Sequence, residues 1–320
     1  MYLGQFYVSI GGSFMTNEKE NYVNINKEAQ IIHKLSIVSI IGNILLSGFK
    51  IFAGVFGHSG AMISDAIHSF SDVLTTVIAY FGVKISKKEA DESHPYGHDR
   101  MECVASLILG FILLMTGLGI GTTGIKSILT GDYKTIAIPN AIALIAAVVS
   151  ILGKESMYWY TRYYAKKINS AAFMADAWHH RSDALSSIGS LIGVGGAMLG
   201  FLILDSMASI VICLFILKVS YDILKDAFSK MIDTACDKGY EAELYKFIEN
   251  QPDIIKIDIL RSRMFGNKVY IDLEIEMDGD KSLWESHAIS EKIHDNLENR
   301  FPNIKHVMIH VNPSENKIKV

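Results

Sequence analysis

The apolar residues of this chain are gathered into six stretches, each long enough to cross a bilayer, and this limits what the chain can fold into. A hydrocarbon core about 30 Å thick takes roughly 20 consecutive apolar residues as a helix. Stretches of that kind run Leu35–Phe56, Ser59–Val83, Met101–Thr123, Ile136–Tyr160, Asn169–Leu199 and Ile203–Leu224. From residue 231 to 320 the pattern becomes that of a domain folded in water. Half of the residues are hydrophobic and the mean hydropathy is +0.26, too apolar for an ordinary soluble chain. The expected fold class is an α-helical membrane protein with six transmembrane helices and a C-terminal cytoplasmic α+β domain. The expected division is a cytoplasmic segment 1–34, a membrane domain 35–230 and a cytoplasmic domain 231–320.

Orientation follows from the basic residues of the short loops. Lys84, Lys87, Lys88 and Arg100 flank the second connection, Arg162, Lys166 and Lys167 the fourth, and Lys218, Lys225 and Lys230 the end of the sixth span. The opposite side carries Lys126 and Lys134. Both termini are therefore expected in the cytoplasm. No basic segment followed by an apolar core and cleavage site opens the chain, so a removable signal peptide is not expected. Met15, which opens the polar string MTNEKENYVN, reads as the natural start.

The tail reads as helix Tyr240–Asn250, strands Ile254–Ser262 and Lys268–Glu276, helix Leu283–Arg300 and strand Lys305–Val311. The turn MFGNK between two Ile/Val/Tyr-rich runs is a hairpin signal, and an αββαβ order is a small ferredoxin-like sandwich. A net charge of −4 without a basic stripe argues against a nucleic-acid partner. Cys103, Cys213 and Cys236 suggest neither a disulfide framework nor a thiolate cluster.

The chemistry lies in a repeat inside the membrane. The second span holds DAIHSFSD (65–72) and the fifth DAWHHRSD (176–183), both of the form D-A-x-H-x-x-S-D. Ionisable residues inside spans cost roughly 2.5 kcal/mol or more each, so a repeated set needs a reason to be there. His68 and Asp72 project from one helix face, as do His179 and Asp183. The two helices run in opposite directions. Measured from Lys84 and Lys167, Asp72 and His179 each lie 12 residues in, and His68 and Asp183 each 16. At 1.5 Å per residue these are depths of about 18 and 24 Å. Two imidazoles and two carboxylates at matching depths make a four-coordinate N/O site that suits Zn²⁺, with Mn²⁺, Fe²⁺, Co²⁺ and Cd²⁺ as alternatives. A divalent ion also offsets carboxylates that hydrocarbon would otherwise neutralise. Asp65 and Asp176, three residues before each His, read as groups supporting the ligands or the pathway. His180 points about 100° away from His179 and reads as a polar neighbour. Lys154 and Glu155, near the end of span four, read as snorkelling or structurally paired residues.

Six spans, H-x-x-x-D in the second and fifth, HPYGHDRME after the second and an αββαβ tail together resemble the cation diffusion facilitator family. The resemblance implies a homodimer that exports divalent metal from the cytoplasm in exchange for protons by alternating access. It implies an accessory metal site in the loop, at Asp91, His94 and His98. It implies that the tail dimerises and senses metal. His287 and His310 match positions where zinc members bind metal, but Asp258 and Asp272 stand where a zinc pattern has His, and Asn312 where it has Asp. The corresponding expectation is a weaker or harder-metal site at Asp258, Asp272, His287 and His310. The family also carries charge interlocks at the membrane exit, and Arg100 and Asp233 stand where one would form.

The reading is thus a multi-pass, lipid-embedded protein of a bacterial plasma membrane, with protons as counter-substrate. A membrane metalloenzyme would need a general base beside an open metal, and no H-E-x-x-H occurs. A haem carrier using His68 and His179 is disfavoured by the facing carboxylates. A membrane-bound metal sensor without transport would need the tail but not the intramembrane ligands.

Overall fold

Six long helices occupy the apolar part of the chain: α1 Gly4–Phe56, α2 Gly60–Ser86, α3 Met101–Thr130, α4 Ala141–Lys167, α5 Ala171–Met198 and α6 Leu204–Met231. The computed structural model describes residues 4–56, 60–131, 141–198 and 203–314, without the side chains of 4–27, 60–68 and some other helical positions. Ser59, residues 136–140 and Leu199, at the edges of the expected spans, lie outside the described residues. Each helix covers most of one of the six apolar stretches. α1 is longer than expected and runs back through most of the segment 1–34. Two of the described helical segments, Glu28–Ala53 and Met101–Thr130, are long and apolar enough to cross a membrane on composition alone.

The burial pattern of these helices is inverted relative to a protein folded in water. On α1, Ser36, Ser39, Asn43, Ser47 and Lys50 are buried at helical spacing, while Ile41, Leu45 and Phe52 are more than half exposed. On α4, Ser150, Lys154 and Thr161 are buried and Leu152 is exposed. Phe111, Met115, Val211 and Leu214 also point outward. Polar groups inward and large apolar groups outward is the arrangement that hydrocarbon surroundings select. α4 packs against α1 and α5. Gly42 and Gly153 let α1 and α4 approach through Met157 and Leu46, and Gly117 and Gly121, four apart on α3, receive Ile216 and Cys213 of α6. Small residues at such crossings are how helices pack tightly where no hydrophobic effect drives them together.

The tail forms α7 Lys238–Glu249, β1 Lys256–Phe265, β2 Lys268–Met277, α8 Leu283–Arg300 and β3 Ile304–Pro313. Asp237 caps α7, and Ser282 with Glu285 forms a reciprocal capping box on α8. The sheet order is β1-β2-β3, antiparallel between the first two and parallel between the last two. The parallel pair requires a crossover, which α8 supplies. Alternation puts Val269, Ile271, Leu273, Ile275 and Met277 on the face that packs with Leu244, Ile248, Ile293 and Leu297. Gly266 takes a φ of 66° in the hairpin turn, and a Cβ there would run into the Asp99 carbonyl.

The chain separates into two compact units that do not follow the linear division: Met1–Lys84 with Ile108–Asp222, and Ile85–Leu107 with Ile223–Val320. The loop between α2 and α3 thus belongs with the tail.

Candidate metal centre

Within the first unit, the start of α5 and the middle of α2 bring three of the expected ligands together. Asp72, His179 and Asp183 are buried, and one donor atom from each lies within 4.8 Å of the others. His179 Nε2 faces Asp72 Oδ1 at 3.3 Å and Asp183 Oδ2 at 4.0 Å. The i, i+4 spacing of His179 and Asp183 places both on one stripe of α5, and Asp72 answers from α2. The side chains of His68 and Asp65 lie outside the described residues. Asp176 is fully buried one turn away from this cluster. Thr75 donates to its Oδ1 at 3.1 Å, and Thr76 to Oδ2 at 3.2 Å. His180, also fully buried, faces Asp176 at 3.7 Å rather than the cluster.

Sequence reasoning missed a fourth member. Lys154 does not snorkel: its side chain is 1% exposed. Its ammonium donates to Asp72 Oδ2 at 2.5 Å, Asp183 Oδ2 at 2.9 Å and Asn43 Oδ1 at 3.0 Å. The carboxylates hold it inward more strongly than water could draw it out through the helix end. The available signal was the buried polar stripe on α1 and α4, which repeats every three to four residues. Glu155 keeps a structural partner in Arg181 at 3.5 Å, and Trp159 Nε1 donates to it at 3.0 Å.

The second unit holds a second cluster. In the loop, Asp91 Oδ1 accepts from the backbone N–H of Ser93 at 3.1 Å and of His94 at 2.9 Å, folding an Asx turn around the carboxylate. Gly97, at φ 89°, closes the loop so that the rings of His94 and His98 stand 4.5 Å apart. His98 Nδ1 lies 3.2 Å from the Glu89 carbonyl, which can only accept, and its Nε2 lies 3.5 Å from Asp91 Oδ2. A His with one ring nitrogen held by a carbonyl and the other facing a carboxylate is oriented as metal-ligating histidines are. Asp91, His94 and His98 can therefore hold a divalent ion. Lys88 reaches the same carboxylate at 2.5 Å. Its hydrogen bond, with those of the turn, holds the Asp91 carboxyl well below the usual carboxylate range against the opposing effect of desolvation.

Arg100 and Asp233 form an ion pair in this unit, and the Arg100 guanidinium lies 4.7 Å from the centre of the Phe265 ring. Lys305 pairs with Asp99, and Tyr270 Oη donates to the Tyr96 carbonyl at 3.2 Å, fastening the loop to the sheet.

The structure does not gather the four tail residues Asp258, Asp272, His287 and His310 within one chain. Asp258 sits at an irregularity in β1, paired with Lys256 at 2.7 Å and Asn312 at 3.1 Å. Asp272 is opposite Arg261 and Met308 in the sheet, and His310 is opposite Glu274. His287 is exposed on α8, paired with Glu291 at 3.1 Å, while that helix packs on the apolar face through Ile293 and Leu297. The physical reason is parity: Asp272 and His310 lie on the open face of the sheet, and α8 covers the other.

Residues 36–232 match the family described as the cation efflux transmembrane domain, and 237–314 the cation efflux protein cytoplasmic domain. These matches define the class, an integral membrane efflux protein with a cytoplasmic domain. The chain belongs to the cation diffusion facilitator family. It is 37% identical to an uncharacterized transporter of Methanocaldococcus jannaschii, over 88% of this chain and 98% of that one. It is 31% identical to the manganese efflux system protein MneP of Bacillus subtilis, over 90% of this chain and 98% of that one. It is 32% identical to the magnetosome protein MamB of a Magnetospira species, over 85% and 92%.

Proposed function

We propose that this protein exports divalent metal ions from the cytoplasm by alternating access in exchange for protons, with Mn²⁺ as its first cargo and Zn²⁺ as its second. The observation that carries the reading is the buried Asp72–His179–Asp183 cluster, drawn from α5 and from α2, whose outward Phe70, Leu74 and Phe81 are apolar. In hydrocarbon such a cluster is sustained by a cation. The inverted burial pattern supports six membrane spans, and the loop charges support cytoplasmic termini. His68, one turn before Asp72, is the expected fourth donor.

Sequence chemistry alone favours Zn²⁺, since a two-imidazole, two-carboxylate set is a familiar zinc environment. The carboxylate oxygens of Asp72 and Asp183 also suit Mn²⁺. Relatives named for manganese efflux, MneP and MneS, add weight to that order. Metal binds only deprotonated imidazole and carboxylate, so loading releases protons, and protonation from the outer side discharges the ion. The inward and outward states are two packings of the helices around a fixed site. The tail serves dimerisation. Because its four candidate ligands stand apart within one chain, metal sensing there would require donors from a second copy.

The experiment is metal flux into vesicles containing the purified protein, with an imposed pH gradient. The parent should move Mn²⁺ and, more slowly, Zn²⁺, in a gradient-dependent way, and Asp183→Ala should not. Full flux by Asp183→Ala would refute the assignment. Metal binding without flux by the parent would favour a membrane-bound sensor.

A further inference from the structure

Lys154 is the least expected group at the centre. A lysine in the interior of a membrane helix is costly, and this one is almost completely buried. Its three ammonium hydrogens meet three acceptors: a carboxylate oxygen of Asp72, one of Asp183 and the amide oxygen of Asn43. The two carboxylates are the same groups that the proposed transport reaction needs for metal.

We infer that Lys154 is a tethered counter-cation: it occupies the carboxylates when no metal is bound, gives them up to the arriving ion, and returns to help discharge it. The inference rests on the transport reading above. A metal coordinated by carboxylate oxygens stands about 2.0–2.2 Å from them. The ammonium already stands 2.5 and 2.9 Å from Oδ2 of Asp72 and Asp183. A dication and an ammonium sharing those oxygens would be in near contact, where like charges repel strongly in a poorly screened interior. Charge balance leads to the same conclusion. Two carboxylates offset one dication, and keeping the ammonium beside it would leave a buried positive charge over. The two therefore exchange.

The helices provide a place for the displaced ammonium. α1 and α4 run antiparallel, with Asn43 on Lys154 and Ser39 Oγ 3.4 Å from Thr161 Oγ1. One turn further along, Ser47 and Ser150 are buried, and neither hydroxyl has a partner among the described residues. Ser150 lies four residues before Lys154 and Ser47 four after Asn43, so both share the stripe the lysine occupies. A long, flexible side chain can move one turn along this stripe to neutral acceptors. Tethering lowers metal affinity, since each binding event must expel a cation. It also speeds release, since a cation is at hand to replace the metal.

The test is Mn²⁺ and Zn²⁺ binding to the full-length protein in lipid nanodiscs, with His94→Ala and His98→Ala present so that the loop contributes no metal. Lys154→Met should bind about tenfold more tightly than its parent, because the competing cation is gone. In vesicles the same variant should transport more slowly despite that tighter binding, a split that a purely structural lysine would not give. Unchanged affinity, or binding lost together with flux, overturns the inference. If Lys154→Met does not fold, Lys154→Arg decides: its forked guanidinium should grip the carboxylates harder and weaken metal binding about tenfold, and unchanged binding overturns the inference. Asp183→Asn separates the two proposals. If it binds metal as the parent does, the transport site is wrong; if it fails to bind while Lys154→Met binds as the parent does, the tethered-cation role alone is wrong.

Discussion

The transport cluster and the loop cluster use almost the same parts in opposite surroundings. Each joins carboxylate, imidazole and a lysine ammonium: Asp72, Asp183, His179 and Lys154 in one, Asp91, His94, His98 and Lys88 in the other. Lys154 is 1% exposed and Lys88 60%. At the loop, water reaches Asp91, His94 and Lys88, so the lysine contact is worth little and a metal is optional. Among the helices no such alternative exists. Each carboxylate must have a cation, and whichever cation leaves must be replaced. Similar donors can thus serve as an adjustable surface site in one place and as an obligatory exchange site in the other.

The largest effect that would break this contrast is at the buried carboxylates. Asp72→Asn should lower metal flux in vesicles by about 100-fold or more while the protein remains folded, whereas Asp91→Asn should leave flux within a few fold of the parent. Equal losses would erase the distinction. Next comes the exposed Arg100–Asp233 pair, whose contribution to stability should stay below about 1 kcal/mol because both groups are partly solvated. Arg100→Glu should nonetheless slow flux several-fold, and Asp233→Arg added to it should recover part of the loss. If both variants transport as the parent does, the pair has no part in coupling.

A smaller, purely structural effect is expected at the turn that meets the loop. Gly266→Ala should destabilise the tail by about 1–3 kcal/mol in thermal unfolding, through a positive φ and a collision with the Asp99 carbonyl. The smallest effect is electrostatic. The Lys88 hydrogen bond holds the Asp91 carboxyl below its usual range. A depressed carboxylate contributes fully above its unfolded-state value, near pH 4, and loses that contribution as pH falls through the folded value. Asp91 should therefore stay charged throughout pH 5–8. Lys88→Ala should move its titration upward, as followed by carbon NMR of the carboxyl.

Much of the architecture was legible in the sequence because hydropathy and period carry it directly. Most of each apolar stretch falls in one of α1–α6, and the αββαβ order of the tail is as read, within two to three residues at most ends. Asp72, His179 and Asp183 were legible because ionisable groups four apart in an apolar helix share one face, and hydrocarbon tolerates them only opposite a common partner. Lys154 was not. A single lysine near a span end has two local readings, snorkelling or a structural pair, and only the positions of α2 and α5 reveal the two carboxylates that capture it. The tail candidates show the opposite error. Matching positions one by one grouped His287 with Asp272, although helical spacing from Ile293 and Leu297 already turned His287 away from the sheet. The long α1 was hidden by the polar composition of its first half, where no core periodicity marks a helix.

The central claim is that one divalent ion sits between α2 and α5. Anomalous diffraction from crystals of the protein grown with Mn²⁺ locates such an ion without reference to activity. The account predicts a strong peak within about 2.4 Å of Asp72 and Asp183 oxygens and of His179 Nε2, with the Lys154 ammonium moved away from both carboxylates. Strong peaks confined to the loop and the tail, with Lys154 still bridging Asp72 and Asp183, would contradict it.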